Sequence, residues 1–359
     1  MRRAYIDWLR GIAVLIMFAA HATDAWTRTS DRTGAIFFWR DVISGFGAPL
    51  FLLLAGVALA FSAASKVRRG ASTRAAVRQV VIRGWQVFGI AFLFRLQMYV
   101  TSLFYRWQDL LKVDVLNIMG PAIAGAAWLW GRARTTTGKF VLLLSAVVLI
   151  SFVTPYVRAI AWLGVLPDPI EGYVRPAGLY ANFTLFPWAA FVFAGAAIGV
   201  LLQSAADRAA EARRVWLVTL AGVALAAASY ALSFQPSPFP NSRFWTTSPA
   251  FFYLRTGIMM ATFGLAWIWC EQIWAGRWLP FVLLGQTSLF VYWVHVELVY
   301  GYFTKPIAGL LPLWGSATGV VVLTVLMYYL AKNARVWVNL KRASGITDWR
   351  VRILTIMGI

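Results

Sequence analysis

The sequence predicts an all-α, polytopic membrane helix bundle, and three observations carry that prediction. Hydrophobic residues make up 60% of the chain and charged residues 13%, about half the charged share of a soluble protein. Apolar runs of about 20 residues, the length a helix needs to cross a hydrocarbon core about 30 Å thick, recur along all 359 residues. Between these runs the basic residues favour alternate connections.

Ten runs can be laid out in order, at roughly 6–25, 41–63, 80–100, 114–130, 139–157, 182–203, 214–234, 250–270, 279–300 and 312–331. No small-residue cleavage site follows the first, which is expected to remain as an anchor. Twenty Lys and Arg fall on the side that carries both ends of the chain, starting with Arg2 and Arg3, and nine on the other. The remaining four, Arg10, Arg83, Arg95 and Arg255, lie inside runs or at their edges. The positive-inside rule then puts both termini in the cytoplasm. A net charge of +20 would suggest nucleic acid in a soluble chain. Here it matches basic loops facing anionic lipid, and no nucleic-acid partner is expected. Residues 1–335 form the expected membrane domain, and 336–359 a basic, partly apolar tail whose end is too short to span. The connection at 158–181 holds Pro167, Asp168, Pro169, Glu171 and Pro176 and is expected to be an ordered flap or a plain connector.

Ionisable groups inside spans cost about 2.5–3.5 kcal/mol each at a helix centre, so they are the first functional candidates. In the first run Arg10 and His21 are eleven residues apart, three turns plus about 20°, and share one face. Asp7, one turn before Arg10, can pair with it. The alternative is an interfacial anchor plus a capping histidine, but one stripe joining all three favours a common site. Asp24, a turn beyond His21, is placed to orient its ring or to meet a substrate. In the ninth run Ser288, Tyr292 and His295 are spaced i, i+4, i+7 on one face, which sets the second of only two histidines at the depth of the first. Arg83 follows the most basic loop, which as a whole is read as the positive-inside signal; the alternative is a phosphate site, because guanidinium forks match phosphate oxygens. Arg95 lies deeper and needs a buried partner, for which Asp114 is the first candidate and Asn117 the second. Arg255 is similarly placed in the eighth run. Gly45, Gly47, Gly56, Gly195 and Gly199 mark close helix packing, and Pro49 and Pro187 are expected to bend their helices.

Other chemistries lack their motifs. There is no phosphate-binding GxxxxGK[ST] loop, no HExxH, no nucleophile elbow and a single cysteine, Cys270, so neither a disulfide nor a metal site is expected.

The segments RAYIDWLRGIAVLIMFAAH, GFGAPLFLLLAG, FLFRLQ, KVDVLNIMGP, FTLFPWAAFVFAGAAIG and GQTSLFVYWVHVELVYG resemble, in order, those of the transmembrane acyltransferase superfamily. Together they are similar to the bacterial branch of the heparan-α-glucosaminide N-acetyltransferase catalytic-domain family. The resemblance implies a multi-pass enzyme of the bacterial inner membrane that takes an acyl group from cytoplasmic acyl-CoA, acetyl-CoA above all. The group passes to an amine or hydroxyl of a sugar or glycan on the far side. On that reading His21, His295 and Asp24 are the catalytic group, and Asp7, Arg10, Arg83 and Arg95 meet the donor. Asp114, Asn117, Arg255, Tyr292 and Ser288 meet the acceptor. The expected partners are acyl-CoA, the glycan and membrane lipid, with a homodimer left open and no metal. The competing class is a transporter or flippase for a polar or glycan substrate, which would also place charges and broken helices at mid-membrane. No internal repeat of the kind many such folds show is visible.

Overall fold

The computed structural model describes residues 3–101, 106–239, 241–275, 277, 280–346 and 348–359. Arg2 and the first residue of the 279–300 run lie outside the described residues. The architecture is the expected helix bundle, with two isolated backbone bridges and no strand among the described residues. The helices are α1 (Ala4–Trp26), α2 (Gly34–Ser44), α3 (Gly47–Arg68), α4 (Thr73–Thr101), α5 (Val115–Arg132), α6 (Thr136–Ala159) and α7 (Asp168–Glu171). They continue with α8 (Leu185–Gln203), α9 (Arg208–Leu232), α10 (Pro249–Trp267), α11 (Pro280–Gln286), α12 (Ser288–Tyr300), α13 (Leu313–Ala343) and α14 (Trp349–Ile356).

Among the described residues eight helical segments are long and apolar enough to span, and α11 with α12 forms a ninth, broken one bent by 90°. The one remaining expected run, 114–130, is helix α5. Its 18 residues include Asn117, Pro121, Gly120 and Gly125, which dilute its apolar content, and it packs against α6 and α8. By packing, the chain divides into two compact units. The first comprises 1–51, 100–103 and 266–359, and the second 52–99 and 104–265.

In the first unit α1 is the central element, in contact with α2, α11, α12 and α13. Its backbone meets that of α11 directly. A methyl on Gly11 would lie 2.0 Å from the Phe281 carbonyl oxygen, and one on Gly285 would lie 1.7 Å from that of Asp7. Only glycine permits this approach, the usual device of membrane helix pairs. The chain after residue 335 continues α13 without a break, then turns back as α14. There Val351 and Ile359 bury themselves with Val338 of α13 and pack on Phe290 of α12.

In the second unit α3 and α8 make the same kind of contact. Methyls on Gly56 and Gly195 would lie 2.0 Å from the Val192 oxygen and 1.7 Å from the Leu53 oxygen. The glycine pattern of the sequence is thus a packing device. Pro187 bends α8 as expected, since Phe186 before it is forced to extended φ −103°, ψ 116°. Pro49 does not bend its helix. It lies in the first turn of α3, where a backbone N–H has no helical partner to lose. The 158–181 connection is ordered. Glu171 pairs with Arg175, whose Nη1 also donates to the Ile160 carbonyl at 2.7 Å, and the Val113 N–H donates to the Tyr180 carbonyl at 2.7 Å.

Candidate active site

The segment GQTS at 285–288 sets the site in the first unit. Gly285 lets α11 press on α1, and the chain then breaks at Thr287, whose hydroxyl donates to the Leu283 carbonyl at 2.9 Å. On either side of the break a side chain reaches the α1 stripe. Gln286 donates through Nε2 to Asp7 Oδ2 at 3.2 Å, and Ser288 accepts from Arg10 Nη2 at 2.7 Å. Asp7 and Arg10 stand 3.8 Å apart, with side chains 7% and 24% exposed. Arg335 of α13 completes the network by donating to Gln286 Oε1 at 2.8 Å. Arg335 is thus linked to the Asp7 carboxylate through the Gln286 amide, while Arg10 pairs with it directly. Sequence reasoning left Arg335 among the twenty basic residues of the side that carries both chain ends and Gln286 inside a motif, because neither lies on a periodic stripe with Asp7.

Seven residues after Ser288, about 10.5 Å along the axis, α12 presents His295, fully buried beneath Phe18 at a ring distance of 4.6 Å. Its Nε2 lies 3.0 Å from Nδ1 of His21, with the two rings within 8° of parallel. The two histidines therefore do meet, as their common depth suggested. Their protons follow from the remaining contact. His295 Nδ1 lies 2.8 Å from the Val291 carbonyl, which can only accept, so that nitrogen carries the hydrogen. His295 Nε2 is then the acceptor for Nδ1–H of His21, and the basic lone pair of His21 is on Nε2.

Around this pair Tyr292 packs between His295 and Phe51, and Tyr300 lies 5.7 Å from the His21 ring. Tyr300, which the sequence reading passed over, donates to Asp24 at 3.4 Å. Asp24 itself is exposed and pairs with Arg32 at 4.0 Å. The Nδ1 partner of His21 is His295, so of the two roles offered for Asp24, orienting the ring belongs to the second histidine. Arg40 of α2 donates to the Ala20 carbonyl at 2.5 Å, one residue from His21.

Residues 3–332 match a family model described as an acyltransferase domain. The chain belongs to this acyltransferase family. Nothing among the curated proteins matches it. The apolar helices fit a multi-pass membrane acyltransferase.

The other candidates of this acyltransferase fall in the second unit. Arg95 pairs with Asp114 at 3.2 Å, both nearly buried, as an in-span arginine requires. Asp114 Oδ1 also accepts from the Val115 N–H at 2.6 Å, and Asn117 Oδ1 accepts from the Asp114 N–H at 2.9 Å, together capping α5. Asn117 donates onward to the Tyr173 hydroxyl at 3.3 Å. Burial pushes the Tyr173 phenol above its ordinary value, so it stays neutral. Asp114 and Asn117 thus have defined structural partners. Arg83 is half-buried on α4. Arg255 on α10 lies over the rings of Phe251, Trp188 and Phe191 at 5.0, 5.5 and 5.8 Å.

Proposed function

We propose that the protein transfers an acyl group, acetyl above all, from acyl-CoA to an amine or hydroxyl of a sugar, as the heparan-type branch does. The observation that carries this reading is the hydrogen-bond chain from the Val291 carbonyl through His295 to His21. It fixes the tautomer that makes His21 Nε2 a base, which is what an attacking hydroxyl or amine needs. His21 takes the acceptor's proton as the new acyl bond forms and returns it to the departing thiolate. His295, held by Val291, accepts from the Nδ1–H of the resulting imidazolium.

The donor supplies a thioester, whose carbonyl the acceptor attacks. Its anionic part suits the cations of the network that links Arg10, Asp7, Gln286 and Arg335. On this reading the Arg10 end of α1 and both termini face the cytoplasm, in keeping with the 20 to 9 distribution of basic residues. The acceptor arrives at the His21 end, where Asp24 and Tyr300 form a polar rim.

Proteoliposomes test the proposal. Labelled acetyl-CoA is supplied at the Arg10 face and glucosamine at the other, and acetylated sugar is expected on the acceptor side. Movement of sugar across the bilayer with no consumption of the thioester would replace the reading with a transporter.

A further inference from the structure

Helix α1 ends at Trp26, so its last four carbonyls need partners from beyond the helix. Each has one. The Thr23 carbonyl accepts from the Thr27 N–H at 3.3 Å, and those of Ala25 and Trp26 accept from the Gly309 and Leu311 N–H groups at 2.9 Å. Arg32 serves the fourth, donating through Nη2 to the Asp24 carbonyl at 2.6 Å.

Arg40 of α2 does something that end-capping does not require. Its Nη2 donates at 2.5 Å to the carbonyl of Ala20, which lies inside the helix and is already paired with the Asp24 N–H by the α-helical ladder. Its Nε donates at 2.5 Å to the Thr23 hydroxyl, which itself donates to the Ala19 carbonyl at 2.5 Å. The remaining arm pairs with Asp41, and the guanidinium lies over Phe37 at 5.0 Å. Ala20 and Thr23 stand on either side of His21. Helix α2 has no buried residue, so polar contact rather than core packing fastens it to this turn. The turn has little freedom to move, because His21 Nδ1 must meet His295 Nε2 at 3.0 Å. A shift of about 0.6 Å would open that contact beyond hydrogen-bond length.

We propose that Arg40 is a positioning residue for the histidine pair. By holding Ala20 and Thr23 it fixes the turn of α1 that carries His21, and so keeps the His21 Nδ1–H on His295 Nε2. It acts through the α1 backbone. Its effect on turnover rests on the acyl-transfer reading, whereas its effect on the hydrogen bond does not.

The test uses the full chain in lipid bilayers, with isotopically labelled histidine nitrogens. The chain holds only two histidines, so solid-state NMR can read the coupling between His21 Nδ1 and His295 Nε2 across their hydrogen bond. Wild type should show it. Arg40→Met, which removes every donor, should lose it, Thr23→Val should weaken it, and Arg40→Lys should retain part of it. With acetyl-CoA and glucosamine, kcat should fall about tenfold or more in Arg40→Met, while the KM for acetyl-CoA holds and Arg40→Lys is intermediate. If Arg40→Met fails to fold, Thr23→Val carries the test, since it keeps the guanidinium and removes only the hydroxyl. Coupling of wild-type strength in the folded variants would overturn the proposal, as would its absence from the wild type. Coupling lost with turnover unchanged would leave Arg40 as the positioning residue and remove His21 as the base.

Discussion

Each unit holds an Arg–Asp pair within its helices, and the two pairs are built differently. Arg95 and Asp114 close to 3.2 Å with side chains 10% and 8% exposed, and Asp114 spends its second oxygen on the N-terminus of α5. Asp7 and Arg10 stand at 3.8 Å, with Arg10 24% exposed, a hydroxyl partner in Ser288 and a second cation in Arg335 behind Gln286. The first arrangement neutralises a charge that the fold must bury. The second leaves Arg10 at a half-open position, with Arg335 linked to the same carboxylate through Gln286. Burial and pairing therefore distinguish the closed arginine, whose charge is neutralised within the fold, from the half-open one that the proposed function assigns to the donor, better than position in an apolar run does.

Variants should split along that line. The largest effect is expected at the closed pair. Arg95→Ala takes the guanidinium partner from the buried Asp114 carboxylate and should destabilise the protein by about 3–5 kcal/mol, read as a fall in Tm in detergent. A wild-type melting curve for this variant would erase the contrast. At the open pair, Arg10→Ala should weaken acyl-CoA binding at least tenfold, about 1.4 kcal/mol, with a much smaller change in Tm. Unchanged calorimetric affinity in this variant would remove the donor from this end of α1.

The smallest effect concerns Asp31, which accepts from Arg28 Nε at 2.7 Å and from the Leu313 N–H at 3.1 Å, joining the loop after α1 to the start of α13. The Arg28 hydrogen bond, aided by the Leu313 N–H, holds its carboxyl below the usual 3.8. A depressed folded-state pKa adds stability that is complete above the unfolded value and lost as pH falls through the folded one. The Tm difference between wild type and Asp31→Asn should thus be small at neutral pH and vanish below pH 3.8. A difference that grows on acidification would contradict the assignment.

Much of this was legible in the sequence because it is periodic. The Asp7, Arg10, His21 stripe and the Ser288, Tyr292, His295 face each follow from helical geometry within one run, and the need of Arg95 for a carboxylate follows from solvation. The break at Thr287 was not legible, since an apolar run of adequate length hides a hinge inside it. The rings around Arg255 come from α8 and α10, whose separation in sequence leaves no local pattern. Tyr300 lies five residues past His295, off the face that the i, i+4, i+7 spacing marks, and was missed for that reason.

The central claim is that His21 moves the proton while His295 fixes its tautomer. Turnover of acetyl-CoA with a glucosamine acceptor, measured side by side for His21→Ala, His295→Ala and the wild type, tests it most directly. Removing a general base costs about 10²–10⁴ in rate, so His21→Ala should lose that much while acyl-CoA binding is retained, and His295→Ala should lose less. Wild-type turnover in His21→Ala would contradict the account, and a dead His295→Ala beside an active His21→Ala would reverse the two roles.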